Sequence, residues 1–297
     1  MKVVDSPGAC WVCGAGKWRL IKPSDVVLEL SSSDFAITDS RYGVTGALHL
    51  CGSCGFVQSS DVQDVQRFYE QLEDPGYVAG HKERSLQAEK LLDLVTPLKP
   101  GGRLVDIGAG SGILVEQALH RGYDAAGVEP SAWLCEQGCK RLLPLHLGTF
   151  PHPEIAPGID IVTLVDVLEH VADPVGLLQL VRTQLADDGI GLVVTPDVGS
   201  IAARLLGRRW WHYRIAHIGY FNQQTLLRAL RRAGLEPLRV GRPGWYFSLQ
   251  YLVERVHAYL PAWVRLPPLP ALDKWIVPLN LRDSLYVIFR KSGSPTP

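Results

Sequence analysis

No apolar run in these 297 residues reaches the roughly 18 that a membrane span requires. The first residues, MKVVDSPGACWVCG, lack the apolar core of a secretory signal, so a cytoplasmic address is expected. Internal repeats are absent too, and beyond Ser292–Pro297 there is no low-complexity tail, which sets aside repeat arrays and disordered polymers. What remains is ordinary for a globular protein: 46% apolar and 20% charged residues, in a chain long enough for one large domain and a small appendage.

Net charge is also missing, with 30 Lys and Arg against 30 Asp and Glu. The balance hides an asymmetry. Residues 1–200 carry 15 Lys/Arg against 26 Asp/Glu, and residues 201–297 carry 15 against 4. A basic rear can face an anionic partner, whether a phosphorylated substrate, a nucleic acid or a membrane surface. It can equally face the chain's own acidic front.

Six cysteines fall into three pairs. Cys10/Cys13 and Cys51/Cys54 are each C-x-x-C followed by glycine, and in a cytoplasmic protein such pairs read as a metal site before they read as disulfides. Four thiolates close a tetrahedral shell around Zn2+ with no position left for water, so that zinc would be structural. Cys135 and Cys139 have no matching pair and read as packed helix residues.

The chain divides into residues 1–60, with the cysteines and short β-rich runs (DVVLEL, GALHL), a helical stretch over 61–99, and a remainder, 100–297. In that remainder strands are expected at 103–107, 123–128, 142–147, 159–165, 191–195, 235–240 and 284–289. Helices are expected at 113–121, 131–140, 174–186, 199–206 and 223–233. Such alternation implies an α/β fold, a parallel sheet with helices on both faces. Residues 242–281 form an insert before the last strand, read as a lid or a dimer contact; the oligomeric state stays open.

Val105-Asp106-Ile107-Gly108-Ala109-Gly110-Ser111-Gly112 follows a strand and opens a helix, where α/β sheets bind nucleotide cofactors. Glycines let backbone approach the ligand, and free N–H groups of the helix start can hold a carboxylate. Glu129 ends the second strand and can accept both ribose hydroxyls. NAD is disfavoured: its G-x-G-x-x-G fingerprint needs glycine where Ile113 stands, and Asp106 would repel a pyrophosphate while suiting a sulfonium and an ammonium.

With these residues in place the chain resembles class I S-adenosylmethionine-dependent methyltransferases over roughly residues 65–240. VDIGAGSG resembles their first motif, VEPS (128–131) the ribose motif, and Leu147–Phe150 the adenine-side motif, with Thr149 where many relatives carry an acid. DVLEHVADP (166–174) is similar to the segment after the fourth strand in the ubiquinone-biosynthesis type. The resemblance implies a Rossmann-like fold and S-adenosylmethionine held by Asp106, Gly108, Gly110 and Glu129, with Thr149, Phe150, Asp166 and Val167 flanking it and Tyr77 covering the methionine end. The N-terminus resembles the zinc-binding domain, a small β-rich zinc ribbon, of certain bacterial methyltransferases.

Methyl transfer needs donor and acceptor aligned and often a proton removed, so a histidine at the sheet's carboxyl edge is sought. His170 and His217 are the candidates; each can instead shape the pocket. The run Arg204, Arg208, Arg209, Trp210, Trp211, Arg214 can grip a diphosphate or sugar, stack on bases or settle on an anionic membrane; alternatively its tryptophans finish the core while its arginines stay solvated. A small-molecule acceptor is expected: a sugar, glycan or secondary metabolite, anionic or lipid-linked in some readings. The alternatives are an RNA methyltransferase, which a pI near 7.1 disfavours, and an inactive zinc-ribbon binding protein.

Overall fold

The structure is a computed structural model, and it describes residues 7–26, 30–38, 42–59, 65–257, 259 and 270–293. Three short strands come first: β1 (Trp18–Lys22), β2 (Leu48–Cys51) and β3 (Val57–Ser59). Helices α1 (Val65–Glu70), α2 (Pro75–Ala79) and α3 (His81–Val95) follow, then β4 (Arg103–Ile107), α4 (Ile113–His120), β5 (Asp124–Glu129), α5 (Ala132–Cys139), β6 (Leu145–Leu147) and β7 (Ile159–Val165). Next are α6 (Pro174–Gln184), β8 (Leu185–Pro196), α7 (Ile201–Leu206), β9 (Gly219–Tyr220), α8 (Gln223–Arg232) and β10 (Leu235–Gly241). The insert supplies β11 (Trp245–Ser248), α9 (Leu249–His257) and β12 (Ile276–Leu279), and β13 (Ser284–Lys291) ends the described chain.

The large sheet has the order β10-β13-β8-β7-β4-β5-β6. Alternate residues of its strands feed two cores on opposite faces. Val105, Val162, Leu164 and Val193 pack with α6 and α8, while Leu104, Ile161, Leu192 and Val194 pack with α3 and α4. This is the Rossmann-like layering expected from the alternation.

One strand departs from it. β13 runs antiparallel to both β8 and β10. Because β10 ends at the carboxyl edge of the parallel strands and β13 starts there, the intervening insert must lie at that edge. Its β11–β12 hairpin is antiparallel, Trp245 opposite Leu279. A second departure is α6, expected to reach 186. It stops at Gln184, and Leu185 already pairs with Ile159 at the start of β8.

The N-terminal sheet has the order β1-β2-β3-β9, so its last strand comes from residues 219–220, far along the chain. Of the expected strand DVVLEL, Asp25, Val26 and Leu30 are irregular, and residues 27–29 lie outside the described residues. Val12 and Phe56 join the core shared by α6 and α8, and Phe56 packs 4.8 Å from Phe221. In the Arg/Trp run, Trp210 is fully buried while Arg204, Arg208 and Arg209 are exposed, the plain amphipathic outcome.

Candidate functional site

The sheet order reverses between β4 and β7, and ligands of open α/β sheets bind in the crevice outside the carboxyl ends at such a point. A cavity of about 1640 Å³ lies there. Asp106, Gly108, Gly110, Glu129, Thr149, Phe150, Asp166, Val167, Tyr77, His170 and His217 all line it. The sequence-predicted cofactor and histidine candidates therefore converge on one space.

Between β4 and α4 the chain turns through Gly108 (φ 71°) and Gly110 (φ 56°), left-handed geometry that favours glycine. Space forbids a side chain as well: a Cβ on Gly108 would lie 2.8 Å from the Val167 side chain, and one on Gly110 would lie 2.6 Å from the Tyr77 hydroxyl. Tyr77 is brought there by Asp74, which caps α2 by accepting from the Tyr77 N–H at 2.9 Å, with Pro75 opening the helix. The same carboxylate accepts from the Thr38 hydroxyl and N–H, tying the N-terminal region to α2.

Asp106 and Glu129 are both buried at adjacent strand ends, and neither forms an ion pair among the described residues. Asp106 accepts from the Thr163 hydroxyl at 2.6 Å. Glu129 accepts from the N–H groups of Gly110 at 2.7 Å and Ser131 at 2.8 Å, leaving a lone pair on each oxygen for a ribose hydroxyl. Burial pushes each carboxyl up to about 7, against the Thr163 bond in Asp106 and the two N–H bonds in Glu129. Two dry acids with no cation of their own, beside a glycine turn with no room for side chains, fit a ligand carrying an ammonium, a sulfonium and a ribose.

The turn after β7 and residues 211–218 supply another part of the cavity lining. Asp166 opens onto the cavity, and burial within the protein pushes its carboxyl up to about 6. Glu169 is 1% exposed; its Oε2 accepts from the Thr195 hydroxyl at 2.8 Å while its Oε1 has no hydrogen-bond partner among the described residues and lies 4.0 Å from His170 Nε2. His217 is brought alongside because the Ile218 N–H donates to the Glu169 carbonyl at 2.9 Å. The His170 and His217 rings meet edge to face at 4.8 Å. Burial holds His170 down at about 4 and His217 well below its ordinary range, so both rings are neutral at pH 7.

Several residues here carried no sequence signal as site residues. Arg84 lies 4.0 Å over the Tyr77 ring, and the Tyr69 hydroxyl is 2.7 Å from His170 Nδ1. Trp11 and Phe35 from the N-terminal region, and Trp245, Phe247 and Tyr251 from the insert, form aromatic walls.

The four paired cysteines also converge. Cys10 and Cys54 sulfurs are 3.6 Å apart, as are those of Cys13 and Cys51, and all four lie within 4.8 Å of one another. Sulfurs 2.3 Å from one tetrahedral ion stand roughly 3.8 Å apart, so the cluster fits a Zn2+ and is too open for disulfides.

This arrangement defines a nucleotide-dependent α/β enzyme whose donor pocket suits a cationic sulfonium. The comparisons agree. The family described as "Methyltransferase domain" matches residues 79–240. The ubiquinone biosynthesis O-methyltransferase of Ruegeria pomeroyi is 29% identical over 185 residues, 58% of this chain and 71% of that protein. Its namesake from Cereibacter sphaeroides (strain ATCC 17025 / ATH 2.4.3) is 31% identical over 179 residues, covering 55% and 71%. A SAM-dependent methyltransferase from Archaeoglobus fulgidus superposes with a TM-score of 0.51 at 16% identity, covering 73% of this chain and all of that one, which supports the fold. The chain belongs to the methyltransferase-domain family and is an S-adenosylmethionine-dependent methyltransferase of class I.

Proposed function

We propose that the chain transfers a methyl group to an oxygen of a small molecule with an apolar body, such as a secondary metabolite or a sugar carrying one. One observation carries this reading: one cavity of about 1640 Å³ is lined by the two buried acids, by aromatic walls and by the paired histidines. That exceeds the roughly 300–1,000 Å³ that encloses one drug-sized ligand, so donor and acceptor share it. The oxygen is supported by the similarity to O-methyltransferases of ubiquinone biosynthesis.

Bound S-adenosylmethionine supplies a methyl already activated on a sulfonium, so the protein's task is alignment and proton handling. Glu129 holds the ribose, Asp106 faces the cationic end, Tyr77 covers it from α2, and Thr149 and Phe150 border the adenine side. His170 and His217, neutral and side by side, take the acceptor end as proton acceptors or as groups that hold the hydroxyl. Against RNA as acceptor, Arg84 stacks on Tyr77, and Arg214 donates to the backbone carbonyls of Ala36 and Ile37, so the cations beside the cavity are already engaged.

Cys10, Cys13, Cys51 and Cys54 hold a structural Zn2+ in this reading; metal analysis should return one tightly held zinc per chain, and four freely reacting thiols in the purified protein would contradict it. The acceptor class is tested with a methyl-labelled donor and a fractionated extract of the source cells. Label is expected in the small organic-soluble fraction, and label confined to RNA would overturn the reading.

A further inference from the structure

Methyl transfer to a hydroxyl leaves a proton to be removed, and a histidine held by a carboxylate is suited to take it. His212 is placed that way. It lines the cavity together with Asp166 and Asp283, and its Nε2 stands 3.3 Å from Asp283 Oδ2. Asp283 immediately precedes β13, whose first residue pairs with Pro196 at the end of β8, so the carboxylate sits at the carboxyl edge of the parallel strands. The His212 side chain is 24% exposed and that of Asp283 5%, so the open side of the pair is the histidine.

The pair is fixed from several sides. The Trp211 indole N–H donates to the same Asp283 oxygen at 2.7 Å, and the Asp283 carbonyl accepts from the Asp197 N–H at 2.8 Å. Burial alone would raise the Asp283 carboxyl, yet donation from His212 and Trp211 holds it below its ordinary value, so it is ionised at pH 7. The His212 ring stacks on His217 at 5.8 Å, and Trp210 meets it edge to face at 5.0 Å. His212 is also near enough to Asp166 for its charge to offset the burial of that carboxyl. With Nε2 turned to Asp283, Nδ1 is the lone pair, and it forms no hydrogen bond among the described residues. The neighbouring histidines are occupied differently. His170 Nδ1 meets the Ala216 carbonyl at 2.8 Å and the Tyr69 hydroxyl at 2.7 Å, and the His217 ring donates to the His212 carbonyl.

We propose that His212, oriented by Asp283, is the base that takes the acceptor's hydroxyl proton. The inference deepens the methyl-transfer reading, on which it rests, and leaves His170 and His217 to hold the acceptor. As the acceptor oxygen bonds to the methyl carbon, its proton passes to His212 Nδ1. The carbon–sulfur bond breaks with its electron pair staying on sulfur, which leaves as a neutral thioether. Asp283 stabilises the imidazolium, which then gives its proton to water. Asp283 and Trp211 act through His212 and are positioning residues.

The test uses the full chain labelled with 15N-histidine. Nitrogen shifts of a neutral imidazole tell which atom carries the proton, and the His212 signals are those that disappear in His212→Ala. The proton is expected on Nε2, a preference that Asp283→Asn should abolish; wild-type His212 protonated on Nδ1 overturns the pair. Methyl transfer is measured with methyl-labelled S-adenosylmethionine and the organic-soluble extract of the source cells. His212→Ala should slow it roughly a hundredfold or more and Asp283→Asn about tenfold, with donor affinity by calorimetry unchanged. Added imidazole should restore part of the rate to His212→Ala, and His212→Gln replaces that variant if it fails to fold. A wild-type rate in the His212 variant, or a loss of donor affinity as large as the loss of rate, overturns the role. A wild type that labels nothing while showing the expected tautomer would instead sink the methyl-transfer reading and leave the oriented pair standing.

Discussion

Asp106 and Glu129 stand side by side in a dry setting, and ionising them there opposes folding. Their folded values of about 7 compare with ordinary values of 3.8 and 4.5. A raised folded value means that the stabilising contribution is complete below about pH 4 and is lost as pH climbs toward 7. The donor reverses this preference, because its cationic and hydroxyl groups favour the ionised acids. S-adenosylmethionine should therefore bind more weakly as pH falls from about 8 to about 6, and binding near pH 7 should release protons. Calorimetry in two buffers of different ionisation enthalpy checks this; identical heats and a flat affinity would refute it. Glu129→Gln should weaken binding roughly ten- to a hundredfold, the equivalent of losing about 1.5–3 kcal/mol of charged hydrogen bonding. The acids and glycines were legible in the sequence because each sits at a strand end with a spacing the chemistry demands. Arg84 and Tyr69 were not, since each arrives from a helix whose periodicity says only which face packs.

At the scale of elements, Tyr77, the proposed cover over the donor, sits on a five-residue helix that has little stability of its own. Asp74 supplies its cap and its only described tie to Thr38, so Asp74→Ala should lower stability by about 1–2 kcal/mol. It should also raise the KM for S-adenosylmethionine several-fold while leaving kcat nearly unchanged. Stopped thermal melts and donor titrations separate the two effects; an unchanged KM would show that Tyr77 does not cover the donor. The central strands were legible from apolar runs of the right length, and Ser131, Asp173, Ser200 and Asn222 cap their helices as residue type suggests. The direction of β13 was not, because periodicity carries no information about which way a strand enters a sheet. β9 was also hidden: two residues are too few to leave an alternating pattern, and only the waiting edge of β3 makes them a strand.

For the whole molecule, sequence order and spatial order disagree at the N-terminus. β3 pairs with β9, Arg232 on α8 donates to the Val12 carbonyl at 2.8 Å, and Phe56 packs against Phe221. A chain beginning at residue 61 would therefore expose Phe221, Trp210 and the edge of β9. Such a truncation should aggregate or melt far below the intact protein, and a truncated chain with native circular dichroism and donor affinity would show that the two sheets are independent.

The shared strand has a further consequence. The segment leading into β9 carries His217 and Ile218, so whatever loosens the cysteine-held sheet loosens that wall first, while β4, β5 and the glycine turn lie elsewhere. If the four cysteines hold zinc as proposed, zinc starvation should cost the acceptor wall before it costs the grip of the strand ends on the donor. The protein would then act as a sink for S-adenosylmethionine rather than as a consumer of it.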